Sequence, residues 1–155
     1  MSVVPSTVTI SLAAASELDE VLALLDNVNL PTEGIAEHFG GFLVARIGDR
    51  LVGCVGQERY GDVALLRSLA VSPELQGSGL GKALTARLLD EALSAGVSEV
   101  VLLTTTAKEF FARQFGFAET ARSKFDSALA DSMEWRLPRC SSAACMSLRL
   151  DEKAT

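Results

Sequence analysis

Ser68-Leu69-Ala70-Val71-Ser72-Pro73-Glu74-Leu75-Gln76-Gly77-Ser78-Gly79-Leu80-Gly81-Lys82 is the stretch that decides the fold. Its second half fits the pattern Q-x-x-G-x-G. An apolar run from Ala64 to Val71 and a turn at Pro73 precede the glycines, and an amphipathic segment from Lys82 to Ala95 follows them. Glycines at the mouth of a helix let several backbone N–H groups face one anion without obstruction by Cβ. The helix dipole adds positive potential at the same place. Strand, glycine loop and helix in that order therefore predict a diphosphate site at Gln76, Gly77, Ser78, Gly79, Leu80, Gly81 and Lys82. No G-x-x-x-x-G-K-[ST] occurs, which excludes a P-loop. A dinucleotide fold would place its glycines directly after the first strand. Here they come mid-chain, after a hairpin.

Working outward, Thr7 to Leu12 alternates as a strand does, and Ser16-Glu17-Leu18-Asp19 reads as a capping signal for a helix to Asn27. Pro31 breaks the chain, and a short helix is expected over Glu33–Phe39, ended by Gly40-Gly41. Strands follow at Phe42–Ile47, Leu51–Tyr60 and Val63–Val71, joined by the two-residue turns Gly48-Asp49 and Gly61-Asp62. After the central helix, a buried strand is expected at Val100–Thr104, a helix at Lys108–Gln114, and closing strands at Ala118–Arg122 and Ala143–Leu150, with a short helix near Asp126–Met133. The fold class is α+β: a mixed, mainly antiparallel sheet with helices on both faces, expected as one domain over residues 1–155.

The net charge of −6 argues against nucleic acid as a partner. No apolar run reaches the ~20 residues that span a bilayer. The first residues carry no basic region of the kind that opens a signal peptide, so a cytoplasmic setting is expected.

Ser68 to Lys82 resembles the acetyl-CoA-binding segment of the GNAT superfamily of N-acetyltransferases, and the order of elements agrees along nearly the whole chain. A narrower similarity joins Leu30-Pro31-Thr32-Glu33, His38-Phe39, Leu66 to Val71, Thr104 to Ala107 and Ser142 to Met146 to the acetyltransferases of bacterial arsenic-resistance operons. The resemblance implies a sheet splayed where the pantetheine arm of acetyl-CoA enters. It also implies that Leu69, Ala70 and Val71 offer a backbone edge to that arm, with the N–H of Leu69 or Ala70 polarising the thioester carbonyl. Many members carry Asn after the fifth strand and Tyr in the next helix. Anchored on Ala107, those positions are Thr104 and Phe111 here, so the usual general acid for the CoA thiolate is missing.

The acceptor amine must lose a proton, which calls for a base. Counting back from Gly61-Asp62, Tyr60 faces Val63, Glu58 faces Leu65 and Gly56 faces Arg67, unless a bulge intervenes. Glu58, Tyr60 and Arg67 then share one face, with Glu58 and Arg67 as diagonal neighbours about 7–8 Å apart at Cα and Gly56 leaving space opposite Arg67. Two readings stay open. Arg67 and Glu58 form a structural ion pair, or Arg67 binds a substrate carboxylate by its planar fork while Glu58 and Tyr60 handle the amine proton. His38, the only histidine, and Glu33 lie on the segment that the resemblance places beside the acceptor.

Cys54 reads as core, and Cys140 and Cys145 either pack in the closing region or form a thiol site for arsenic. The expected function is acetyl transfer to a small amino-acid-like amine, an arsenical or related toxic antimetabolite among them, and a homodimer is compatible with it. Protein or peptide N-terminal acetylation and a non-catalytic CoA-binding or arsenic-sensing module are the alternatives. No metal is expected.

Overall fold

The computed structural model describes residues 7–140 and 142–150. Seven strands form one sheet: β1 (Val8–Leu12), β2 (Phe42–Ile47), β3 (Arg50–Tyr60), β4 (Val63–Val71), β5 (Glu99–Thr104), β6 (Ala118–Glu119) and β7 (Ala144–Arg149). Their spatial order is β1-β2-β3-β4-β5-β7-β6. Three α-helices accompany them, α1 (Leu18–Asn27), α2 (Leu80–Ser94) and α3 (Lys108–Phe115). The sheet is mixed and mostly antiparallel, as the sequence predicts. β4 and β5 pair in parallel over three residues, from Val63 with Glu99 to Leu65 with Val101. β5 keeps antiparallel partners in β7 along its whole length, from Glu99 with Arg149 to Thr104 with Ala144.

The chain divides into two compact units. One holds the residues up to Gln57 together with Ser68–Asp90, and the other holds Glu58–Arg67 and the residues from Glu91 onward. In the first, Val21, Leu25, Ile35, Phe39, Phe42, Val44, Cys54 and Ala70 form the core. Helix α1 contributes Val21 and Leu25, its two buried residues, to that core. In the second unit the core is Leu65, Val101, Phe125, Leu129, Trp135 and Cys145.

Four local expectations are corrected. Ser16 is not the cap of α1. A 3-10 turn over Ala15–Glu17 precedes that helix, and the Glu17 carboxylate accepts the Ala14 N–H at 2.8 Å. Over Glu33–Phe39 there is no α-helix. Gly34 is left-handed (φ 82°), and a 3-10 segment covers Ala36–Gly41 with a break at His38, so Gly40-Gly41 lies inside it. The strand after Phe117 is only Ala118–Glu119, because a 3-10 turn at Arg122–Lys124 diverts the chain. Asp126–Met133 is a series of turns. There the chain serves separate anchors: Phe125, Leu129 and Trp135 are all buried, and the Ser132 hydroxyl accepts the Trp135 N–H at 3.1 Å.

Candidate active site

The glycine loop belongs to the first unit. Pro73–Leu75 form a 3-10 turn, and the Gln76 side-chain amide donates to the Val71 carbonyl at 3.2 Å, tying the loop to the end of β4. Gly77 (φ 85°) and Gly79 (φ 94°) are left-handed, a conformation that only glycine adopts without strain. The Ser78 hydroxyl accepts the Leu80 N–H at 3.3 Å, and α2 starts at Leu80. The N–H groups of Gly81 and Lys82 fall in its first turn, where no carbonyl of the same helix can accept them. A Cβ at Gly77 would meet nothing within 4 Å, and one at Gly81 would meet only Val71 Cγ2 at 3.9 Å. This backbone face is open and lined with donors, as an anion site requires. Leu80, Leu84 and Leu88 anchor the helix beneath it.

Just upstream, Ser68 interrupts β4 with φ 64°. The hairpin count would set Val52 opposite Val71, yet it is the N–H of Ser72 that reaches the Val52 carbonyl, at 2.9 Å. One extra residue has entered β4, which is the signature of a bulge. The left-handed residue lies beyond Arg67, whose side chain meets Glu58 on one face of the sheet. Leu69 and Val71 are half-buried and Ala70 is buried.

In the second unit the predicted face assembles. Arg67 Nη1 donates to Glu58 Oε2 at 2.7 Å, and the Tyr60 hydroxyl donates to Glu58 Oε1 at 2.5 Å. Arg67 Nε donates to Glu134 Oε1 at 2.8 Å. Glu58, Arg67 and Glu134 are all buried. Burial first, and then the hydrogen bond to Glu58, hold the Tyr60 phenol well above its ordinary pKa. The ion-pair alternative is therefore present in the fold, with a second carboxylate that sequence reading missed. Glu134 sits 67 residues from Arg67 in an irregular segment, so neither period nor turn signal points to it. The space expected at Gly56 is not empty: the Phe42 ring approaches within 2.2 Å of where a Cβ would stand.

The Thr104 hydroxyl accepts the Ala107 N–H at 2.9 Å and so shapes the turn into α3. Phe111 is buried, edge-on to Phe110 and Phe117 with centroids 5.0 and 5.6 Å away. Glu33 and His38 are half-buried in the first unit. Cys54, Cys140 and Cys145 are buried thiols.

Residues 13–117, two thirds of the chain, match the sequence pattern of the acetyltransferase (GNAT) family. The chain belongs to that family. Over 84 residues it is 31% identical to an amino-acid acetyltransferase of Neisseria meningitidis, a match covering 53% of this chain and 19% of that protein. It is 32% identical over 94 residues to an uncharacterised N-acetyltransferase of Chlorobaculum tepidum, covering 60% of this chain and 59% of the other. Among solved structures, N-acetylglutamate synthase of Neisseria gonorrhoeae, complexed with coenzyme A and L-arginine, superposes with a TM-score of 0.76 at 25% identity over 93% of this chain and 33% of that one. A Mycobacterium tuberculosis protein in complex with CoA superposes with a TM-score of 0.75 at 26% identity, covering 92% of this chain and 99% of its own. The match thus spans less than a fifth of the meningococcal amino-acid acetyltransferase.

Proposed function

We propose that this GNAT-family chain transfers the acetyl group of acetyl-CoA to the amine of a small, amino-acid-like acceptor. The observation that carries the reading is the open glycine loop at the start of α2, directly after a bulged β4. The relatives named for amino-acid acetylation and the CoA complexes among the structural neighbours support it. In this reading the loop from Gln76 to Lys82 binds the diphosphate, and Leu69 to Val71 pair with the pantetheine amides as a further strand would.

Attack is direct: the amine nitrogen bonds to the thioester carbon, the C–S bond breaks, and the CoA thiolate takes a proton from water, since Phe111 has none to give. Glu58, with Tyr60 on one oxygen and Arg67 on the other, is the base that relays the amine proton. Two of the guanidinium nitrogens of Arg67 are engaged by Glu58 and Glu134. We therefore assign Arg67 to holding those carboxylates in place, and leave contact with the acceptor to Glu33 and His38. Within this class, the resemblance of several short segments to arsenic-operon acetyltransferases supports an amino-acid-like arsenical or antimetabolite, in a cytoplasmic setting. A thiol-release screen with acetyl-CoA over amino acids, amino-acid arsenicals and N-terminal peptides tests the reading. Turnover on a free amino acid or its arsenical analogue is expected, and turnover confined to peptides would replace it with N-terminal acetylation.

A further inference from the structure

Cys54 lies in β3 with no exposed surface. Its thiol donates to the Ser68 carbonyl at 3.3 Å. The Ala70 N–H in turn donates to the same sulfur. Burial pushes the thiol up to about 12, against the smaller opposing effect of that N–H, so it stays protonated and able to donate at neutral pH. One atom thus bridges the bulge residue and the residue two further along β4.

The consequence follows from peptide geometry. The described chain has no cis peptide bond. In a trans peptide the C=O of one residue and the N–H of the next point in opposite directions. The Ser68 carbonyl turns toward Cys54, so the Leu69 N–H turns away from it. The Ala70 N–H also turns toward Cys54, so the Leu69 carbonyl turns away. Both polar groups of Leu69 leave β4 on the side opposite Cys54, and the Ala70 N–H is already engaged.

We propose that Cys54 is a positioning residue, whose thiol sets the two peptide units flanking Leu69 so that the Leu69 N–H meets the thioester oxygen and the Leu69 carbonyl meets the pantetheine arm. This rests on the acetyltransferase reading above and narrows the thioester donor from Leu69 or Ala70 to Leu69. A donor aimed in advance at developing charge needs no reorganisation during reaction, and tilting it forfeits that advantage.

The test compares Cys54→Ser and Cys54→Ala in the full chain. The serine hydroxyl can both donate and accept, as the thiol does, whereas alanine removes the bridge. Serine also buries a hydroxyl among apolar neighbours, so a purely structural role favours alanine. The expected result is that Cys54→Ala lowers kcat on the order of 10-fold or more with little change in acetyl-CoA KM, while Cys54→Ser retains more turnover despite an equal or lower Tm. In 15N-labelled protein the Leu69 amide should respond to acetyl-CoA more than to CoA, and Cys54→Ala should abolish that difference. A Cys54→Ala enzyme with wild-type kcat, or kcat that follows Tm across the variants, would overturn the proposal. Failure of the wild-type chain to bind acetyl-CoA by calorimetry would instead overturn the acetyltransferase reading beneath it.

Discussion

Arg67 Nη1 and Glu58 Oε2 lie 2.7 Å apart, and neither side chain has any exposed surface. Such a pair is expensive to break, because the surviving charge stays buried. Arg67→Lys, Glu58→Gln and Glu134→Gln should each lower Tm, and loss of one partner should cost about 3–5 kcal/mol. Lysine lacks the planar fork that serves two carboxylates at once. The acceptor KM of Arg67→Lys should stay near wild type while kcat falls. A large rise in KM at unchanged Tm would restore Arg67 as the ligand of an acceptor carboxylate.

If Glu58 relays the amine proton, Glu58→Gln should recover activity as pH rises, because more of the amine is then already free. The pH–rate profile of wild type and variant, measured under saturating acetyl-CoA, checks this. Parallel profiles would remove Glu58 from the proton path.

The two loop glycines should separate by mechanism. Gly79 is left-handed, so Gly79→Ala should cost stability as well as CoA affinity. Gly81 is helical with room for a methyl group. Gly81→Ala should therefore raise stability by up to about 1 kcal/mol through helix propensity, yet weaken CoA binding by crowding the diphosphate. Calorimetry alongside thermal melts would show the opposite signs, and unchanged affinity in both variants would misplace the donor site.

Alkaline stability should fall because of Cys54 and Tyr60. The Cys54 thiol rises from 9.0 to about 12 in the fold, so the unfolded chain loses that proton first. Its contribution is complete below pH 9 and fades between 9 and about 12, and Tyr60 acts in the same direction at higher pH. Cys54→Val should flatten the slope of Tm against pH above 9. An unaltered slope would mean the thiol ionises equally in both states.

Gln57 is buried, and neither atom of its side-chain amide has a hydrogen-bond partner. A buried amide left this way costs about 1–3 kcal/mol. Gln57→Met keeps the volume and removes that penalty, so the melting temperature should rise. A drop in Tm of several degrees would show that the amide is satisfied in solution.

The elements carried by local signals were legible in the sequence. The Gly61-Asp62 turn fixed the face shared by Glu58, Tyr60 and Arg67, and the glycine loop announced α2. The two-residue turns Gly48-Asp49 and Gly61-Asp62 placed β2 to β4 to within a residue. What escaped depended on distant packing. Glu134 reaches Arg67 from a segment without periodicity, and the turns around Leu129 answer to buried anchors instead of a helical stripe. The bulge at Ser68 was invisible because serine gives no hint of a left-handed backbone, whereas glycine would have.

The strand order has a consequence for synthesis. β5 carries the apolar run Val100-Val101-Leu102-Leu103, and its antiparallel partner β7 is made some forty residues later, after α3 and β6. While the ribosome adds that interval, one edge of β5 waits unpaired, and an unpaired apolar edge is a template for the wrong strand. The second unit can close only when Ala144–Arg149 is free to pair with β5, so the interval of residues 105–143 sets the loop that must be closed before that edge is covered.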